Sequence, residues 1–263
     1  LDKSQAARTP PPMGLGRVTE IPNKLVEFRF PFWSMRWTPP LSEANTVATF
    51  NLNHPLNLTD LARRVISIGY NPRRFAAASM RLGNGWTDLF FSRGSVVCTG
   101  AKSELLSISA ALEFVYMLQR VYVRPTEFRD YRLVNFVSNG ATGFPINLTR
   151  LAARYPMNAQ YKKLRFPGLV FRFNCRQRVC IIFASGQVIV TGFKSRFESC
   201  LAWRFAFLLL WEFKLAPGEE GDTDADFRRK AAEDASVVAA TCRRIARVYT
   251  RELAKKHEIA GSD

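Results

Sequence analysis

The chain has 263 residues, of which 47% are hydrophobic and 23% charged; 38 Lys and Arg stand against 22 Asp and Glu, for a formal net charge of +16 and a pI of about 10.1. That apolar fraction supports one large or two small domains and excludes a disordered chain, while the charge points to a polyanionic partner, nucleic acid or an anionic membrane surface. No apolar run is long enough for a membrane span, and two histidines with five cysteines (Cys98, Cys175, Cys180, Cys200, Cys242) lack metal-ligand spacing, which argues against zinc or Cys/His chemistry and for reduced thiols in an intracellular protein.

Residues 1–43 form an N-terminal extension that is Pro-rich yet carries Phe28, Phe30, Phe32, Trp33 and Trp37. Tails that stay disordered avoid such composition, so this segment is expected to dock on something. Residues 44–124 read as a first unit. A strand follows Asn45-Thr-Val47, and a helix starts near Leu58 with Asn57 or Thr59 as its cap and Leu61, Ala62 and Val65 on one face. Asp88–Ser92 and Ser95–Thr99 then make a hairpin around Arg93-Gly94, and a long apolar helix starts at Glu104. Residues 125–214 repeat that programme: strand, helix, four strands, long helix. Residues 215–263 are an acidic linker and an amphipathic helix of about thirty residues, with Phe227, Ala231, Val238, Cys242, Ile245 and Tyr249 at helical spacing.

The two units match residue by residue at an offset of about ninety, far longer than solenoid or propeller units. Asn45-Thr-Val47 answers Asn135-Phe-Val137. Asn-Leu-Thr-x-Leu-Ala recurs from Asn57 and Asn147, Phe-x-x-Gly from Phe91 and Phe183, and Thr-Gly-x-Lys-Ser from Thr99 and Thr191. Two similar lobes about a pseudo-twofold axis suit a target that is itself nearly twofold, and duplex DNA is the leading candidate. The hairpins are apolar on both faces. Leu89, Phe91, Val97 and Thr99 alternate with Phe90, Val96 and Cys98, and Ile181, Phe183, Ile189 and Thr191 with Ile182, Val188 and Val190. Two helices per unit cover one face, and too few strands remain for a second sheet, so the other face is expected to bind a partner.

The repeats resemble the TATA-box-binding protein family. Tyr70-Asn-Pro-Arg-Arg-Phe-Ala-Ala, Ser79-Met-Arg81, Val97-Cys-Thr-Gly-Ala-Lys-Ser103 and Phe166-Pro-Gly-Leu-Val-Phe-Arg172 carry the likeness, which covers residues 44–214. The resemblance implies an α+β saddle: a curved ten-stranded antiparallel sheet with four helices on its convex side, here followed by the C-terminal helix. It implies that the concave face enters the DNA minor groove, the family being the standing example of kinking by inserted apolar side chains. The intercalating pairs would be Phe75 with Phe91 and Phe166 with Phe183. Asn45 and Asn135 would read base edges, where adenine N3 and thymine O2 accept and guanine's amine obstructs. Val47, Leu89, Val97, Thr99, Val137, Ile181, Ile189 and Thr191 would line the groove floor, and Arg74, Arg81, Arg93 and Arg172 would meet phosphates. Expected partners are promoter DNA, factors of the TFIIA and TFIIB type and promoter-specific complexes, in the nucleus, with no membrane, cofactor, metal or small-molecule substrate. Catalysis is not expected. A DNA glycosylase with a similar lobe would need a further helical domain, and the alternative is a platform of the same fold that acts through protein partners.

Three departures qualify the resemblance. Lys162, Lys163, Leu164 and Arg165 stand where the family carries glutamates for its TFIIB-type partner. The long helices read as apolar nearly all round, so that Leu105, Leu106, Ile108, Leu112, Phe114, Leu118, Trp203, Phe207 and Trp211 would be exposed until covered; at least one of the two extensions is expected to pack there, on the convex side, with any remaining apolar area used by a partner protein. Ser95 and Gln187 replace a basic residue, Arg93 compensates only in the first repeat, and Asp88 occupies an apolar position.

Overall fold

Asn57 and Asn147 start the same short helix in both repeats, each side-chain oxygen accepting the backbone N–H three residues on, from Asp60 (3.0 Å) and Arg150 (2.9 Å). Of the two caps the sequence allows in the first repeat, Asn57 is therefore the one used. The computed structural model describes residues 38–81, 85–122, 125–173, 177–215 and 224–259. The first repeat runs β1 (Ser42–Asn51), α1 (Leu58–Arg64), β2 (Ile68–Gly69), β3 (Ala78–Arg81), β4 (Thr87–Phe90), β5 (Ser95–Thr99) and α2 (Glu104–Tyr122). The second runs β6 (Arg129–Ala141), α3 (Leu148–Arg154), β7 (Ala159–Gln160), β8 (Leu169–Arg172), β9 (Val179–Ile182), β10 (Gln187–Phe193) and α4 (Arg196–Trp211). Both follow the expected order. A last helix, α5, spans Asp224–Ile259. Among the described residues no helix is long and apolar enough to cross a membrane.

All ten strands join one antiparallel sheet in the order β2-β3-β4-β5-β1-β6-β10-β9-β8-β7. The order reads alike from either end because β1 and β6, the matching first strands, pair at the centre. Their register sets Asn45 opposite Val137, Thr46 opposite Phe136 and Val47 opposite Asn135. This pairing is itself twofold about Thr46 and Phe136, so the duplication seen in the sequence becomes a pseudo-dyad through the middle of the sheet.

On the convex side each repeat has its own core. Phe50, Leu61, Phe90, Phe114 and Leu118 pack in the first, with the Phe90 and Phe114 rings stacked at 3.8 Å. Leu151, Phe171, Phe193, Trp203 and Leu210 anchor the second. The two long helices differ. α2 buries one stripe, including Ala111, Phe114 and Leu118, and leaves Leu105, Leu106, Leu112 and Tyr116 exposed. α4 buries Ala202, Trp203 and every residue from Phe205 to Leu210, the pattern of a helix covered on all sides. Of the apolar side chains expected to need a cover, Phe114, Leu118, Trp203 and Phe207 are buried, Ile108 and Trp211 are half-buried, and Leu105, Leu106 and Leu112 are exposed.

Trp203 Nε1 donates to the Pro39 carbonyl at 2.6 Å, so the described chain enters along α4. The aromatic segment expected to dock there, Phe28 to Trp37, lies outside the described residues. The other candidate cover, α5, lies elsewhere. It packs on the concave face, against β1, β5 and β10, and not on the convex side. The physical reason is complementarity: the apolar face of the sheet presents two repeated sets of branched side chains, and one helix with a continuous apolar stripe can close both.

Candidate nucleic-acid interface

Strand alternation places the candidate groove-floor residues. Leu89, Phe91 and Val97 turn to the concave side while Phe90, Val96 and Cys98 enter the convex core, and the second repeat sorts Ile181, Phe183 and Ile189 from Ile182, Val188 and Val190 in the same way. Val47 and Val137 complete the floor from the two central strands. Thr99 and Thr191 lie on the last strand of each repeat, Thr99 half-buried and Thr191 buried.

At the centre, Asn45 and Asn135 are buried. Gly100 N–H donates to Asn45 Oδ1 and Gly192 N–H to Asn135 Oδ1, both at 2.9 Å. The repeated Thr-Gly explains this: the two glycines adopt φ of +103° and +89°, which turns their N–H groups onto the amides. A Cβ at Gly100 would stand 2.8 Å from the Gly85 carbonyl oxygen, so no other residue fits without a shift. With Oδ1 held by an N–H, each Nδ2 must point the other way. Neither Nδ2 has an acceptor among the described residues, and the Thr99 hydroxyl is likewise unbonded. Two symmetric donors are thus buried without a partner at the middle of the face.

The candidate wedges stand at its ends. Phe166 and Phe183 meet edge to face, with ring centroids 5.9 Å apart. In the first repeat Phe91 is buried in the concave cluster and Phe75 stands at the rim, 36% exposed. Arg74, Arg81, Arg93 and Arg172 are all exposed. Lys162, Lys163, Leu164 and Arg165 form an exposed turn before Phe166, closed by Arg165 N–H and Phe166 N–H on the Lys162 carbonyl. The structure brings the Phe, Asn, Val and Thr sets onto one face and sets this turn at its rim, where Lys162 and Arg165 line a cleft with Phe166 and Ile181.

Asp88 faces the other way. It is fully buried on the convex side of β4, beside Cys98 across the ladder. Burial pushes its carboxyl up to about 6; the neighbouring Cys98 thiol offsets part of that, and Glu113 adds to it. Ser95 and Gln187, at the departures from the basic pattern, are half-buried strand ends.

What the sequence did not place is the helix across this site. Val237, Val238, Cys242 and Ile245 of α5 pack on Val137, Ile181, Phe183 and Ile189, while Tyr249 and Leu253 pack on Val47, Leu89, Phe91 and Val97. The stripe from Val238 to Tyr249 was visible as helical spacing; Val237 and Leu253 were missed, and nothing in the spacing named the surface they meet. The Ser185 hydroxyl donates to Asp234, and Cys242 Sγ lies 3.4 Å from Asn139 Oδ1. At 1.5 Å per residue, Asp234 to Leu253 spans about 28 Å, enough to bridge both repeats. Fully burying one aliphatic side chain stabilises by about 1.5–3 kcal/mol, and these largely half-buried chains realise part of it. Each orphaned amide costs about 1–3 kcal/mol against that. α5 therefore covers the face without completing its hydrogen bonds. Among the described residues no three His, Cys, Asp or Glu side chains gather as a metal ion would require.

The family model for transcription factor TFIID (or TATA-binding protein, TBP) matches residues 42–121 and 130–213. The protein named TATA-box-binding protein 2 from Arabidopsis thaliana is 38% identical over 171 residues, 65% of this chain and 85% of that relative. The TATA-box-binding protein of Tetrahymena thermophila is 36% identical over 171 residues, 65% of this chain and 69% of the relative. The solved structure of Methanococcus jannaschii TBP superposes with a TM-score of 0.59 at 26% identity, covering 66% of this chain and 99% of that one.

Proposed function

This chain belongs to the TATA-binding protein family, and from that premise we propose that it is a general transcription initiation factor whose concave face binds duplex promoter DNA through the minor groove and bends it. The carrying observation is the pair of unpartnered Nδ2 groups of Asn45 and Asn135. The minor groove of A·T pairs presents only acceptors at that depth, so the groove supplies what the face lacks, and a guanine amine would oppose a donor with a donor. In this reading Phe75 with Phe91 and Phe166 with Phe183, at the two ends, unstack base steps. The apolar floor fits sugar edges, and Arg74, Arg81, Arg93 and Arg172 fit phosphates. The protein is not an enzyme, since its family consists of non-enzymatic DNA-binding factors.

In this reading the protein works in the nucleus and nucleates an initiation complex with TFIIA-type and TFIIB-type factors. The exposed Lys162–Arg165 turn then meets an acidic partner surface where the family's glutamates meet a basic one. A second reading is favoured by one observation, the occupation of the concave face by α5: the fold would act as a protein platform with weak or lost DNA binding. Fluorescence anisotropy with A·T-rich and G·C-rich duplexes separates the two. The proposal expects preference for the A·T-rich duplex, reduced about tenfold or more in Asn45→Ala with Asn135→Ala, given roughly 1–3 kcal/mol of discrimination per good base contact. Equal affinity for both duplexes, or a ratio untouched by the double substitution, contradicts it.

A further inference from the structure

α5 covers the same residues that the proposed DNA contact needs. Val47, Val137, Phe91 and Phe183 lie under its apolar stripe, and the Asn45 and Asn135 amides lie buried at the middle of the face it crosses. Helix and duplex cannot occupy this face together. We propose that α5 is a displaceable strap that holds the concave face closed in cis and leaves it when duplex DNA enters. The proposal rests on the DNA-binding reading above and adds its regulation.

Two observations say that the strap is built to leave. Its hold is mostly apolar and it satisfies neither central amide, whereas the groove's acceptors satisfy both. Its charge also works against it. Arg247 and Arg251 share one flanking cleft with Arg74 and Arg81, and Arg244 shares the other with Lys162, Arg165 and Arg172, where Glu252 is the acidic lining residue. Like charges face each other along both edges of the helix. Phosphates entering those clefts relieve the repulsion, and a duplex supplies them in two rows. A helix meant as a permanent part of the core would carry acidic residues along these edges.

Full-length variants test this. Val238→Asp with Ile245→Asp places two charges on the contact face of α5, detaching the helix without touching the sheet. Asn139→Cys sets a thiol against Cys242, whose sulfur already lies 3.4 Å from the Asn139 side chain, so that oxidation ties α5 down and a reductant frees it. Binding to an A·T-rich duplex is measured for the parent chain, the detached variant, and the oxidised and reduced forms of the tethered one. The expected results are affinity at least about tenfold higher in the detached variant, loss of binding on oxidation with recovery on reduction, and a parent-to-detached gap that narrows at low salt, where repulsion loosens the strap most. Equal affinity in the parent, detached and oxidised forms overturns the strap and leaves the DNA reading standing. No binding by any form, the detached variant included, overturns the DNA reading on which the strap depends.

Discussion

The two faces of the sheet have kept their duplication very differently. On the concave side the repeats agree along the central strands and hairpins: Asn45 with Asn135, Val47 with Val137, Phe91 with Phe183, Thr99 with Thr191, and Leu89 and Val97 with the similar Ile181 and Ile189. On the convex side the short helices α1 and α3 still agree, but the long helices and the strand under them have parted. α2 leaves Leu105, Leu106, Leu112 and Tyr116 exposed where α4 is buried nearly all round, and Asp88 sits where the second repeat has Cys180. Symmetry is retained on the face that the proposed function gives to one nearly twofold target. It is lost where each half packs against different neighbours. The concave face is therefore the part of the molecule whose chemistry can be read from the duplication.

The convex asymmetry can be broken directly. Trp203→Ala should cost about 3–5 kcal/mol in denaturant unfolding, because a fully enclosed indole is removed together with its bond to Pro39. Leu105→Ser on α2 should stay within about 0.5 kcal/mol of the parent, since its side chain is largely in solvent. Similar losses at the two positions would mean that the helices are equally covered.

Asp88 gives the next largest effect. Its carboxyl is raised to about 6 in the folded chain, so the folded state favours the protonated form. Stability from this group is full below the ordinary carboxylate range and is lost as pH rises through about 6. Asp88→Asn should accordingly stabilise by about 2–3 kcal/mol above pH 7, each tenfold change in proton affinity being worth about 1.4 kcal/mol, and change little near pH 4. Urea midpoints across that range check the sign. A gain independent of pH would show that charge burial is not what distinguishes this position from Cys180.

The smallest effect is expected at the rim of the concave face. Lys162→Glu changes an exposed turn and should weaken assembly with an acidic partner only a few-fold, at low salt, with the difference fading as screening grows. A salt-independent change would place Lys162 inside an interface, not at its edge.

Much of this was legible in the sequence, for identifiable reasons. Alternation with a period of two sorted Leu89, Phe91 and Val97 from Phe90, Val96 and Cys98 because each face of the sheet meets a different environment. Asn57 and Asn147 appeared in a helix-starting context, and the repeated Thr-Gly is explained by the Asn45 and Asn135 amides that the glycine N–H groups hold. The site of α5 was not legible. Val238, Cys242, Ile245 and Tyr249 declare an apolar stripe, but the chain offers two apolar surfaces, the concave sheet and the outer side of α2, and helical spacing cannot choose between them. The burial of α4 was hidden for a related reason: its residues are apolar all round, so periodicity marks no outer side.

Hydrogen–deuterium exchange on the full chain, with and without an A·T-rich duplex, tests the central claim most directly, since each amide reports opening of its own segment. If DNA takes the face that α5 covers, adding the duplex should speed exchange across Val238–Leu253 while β1, β5, β6 and β10 stay protected or slow further. Bound DNA with α5 exchange unchanged or slower would contradict the claim, because helix and duplex would then not be competing for one face.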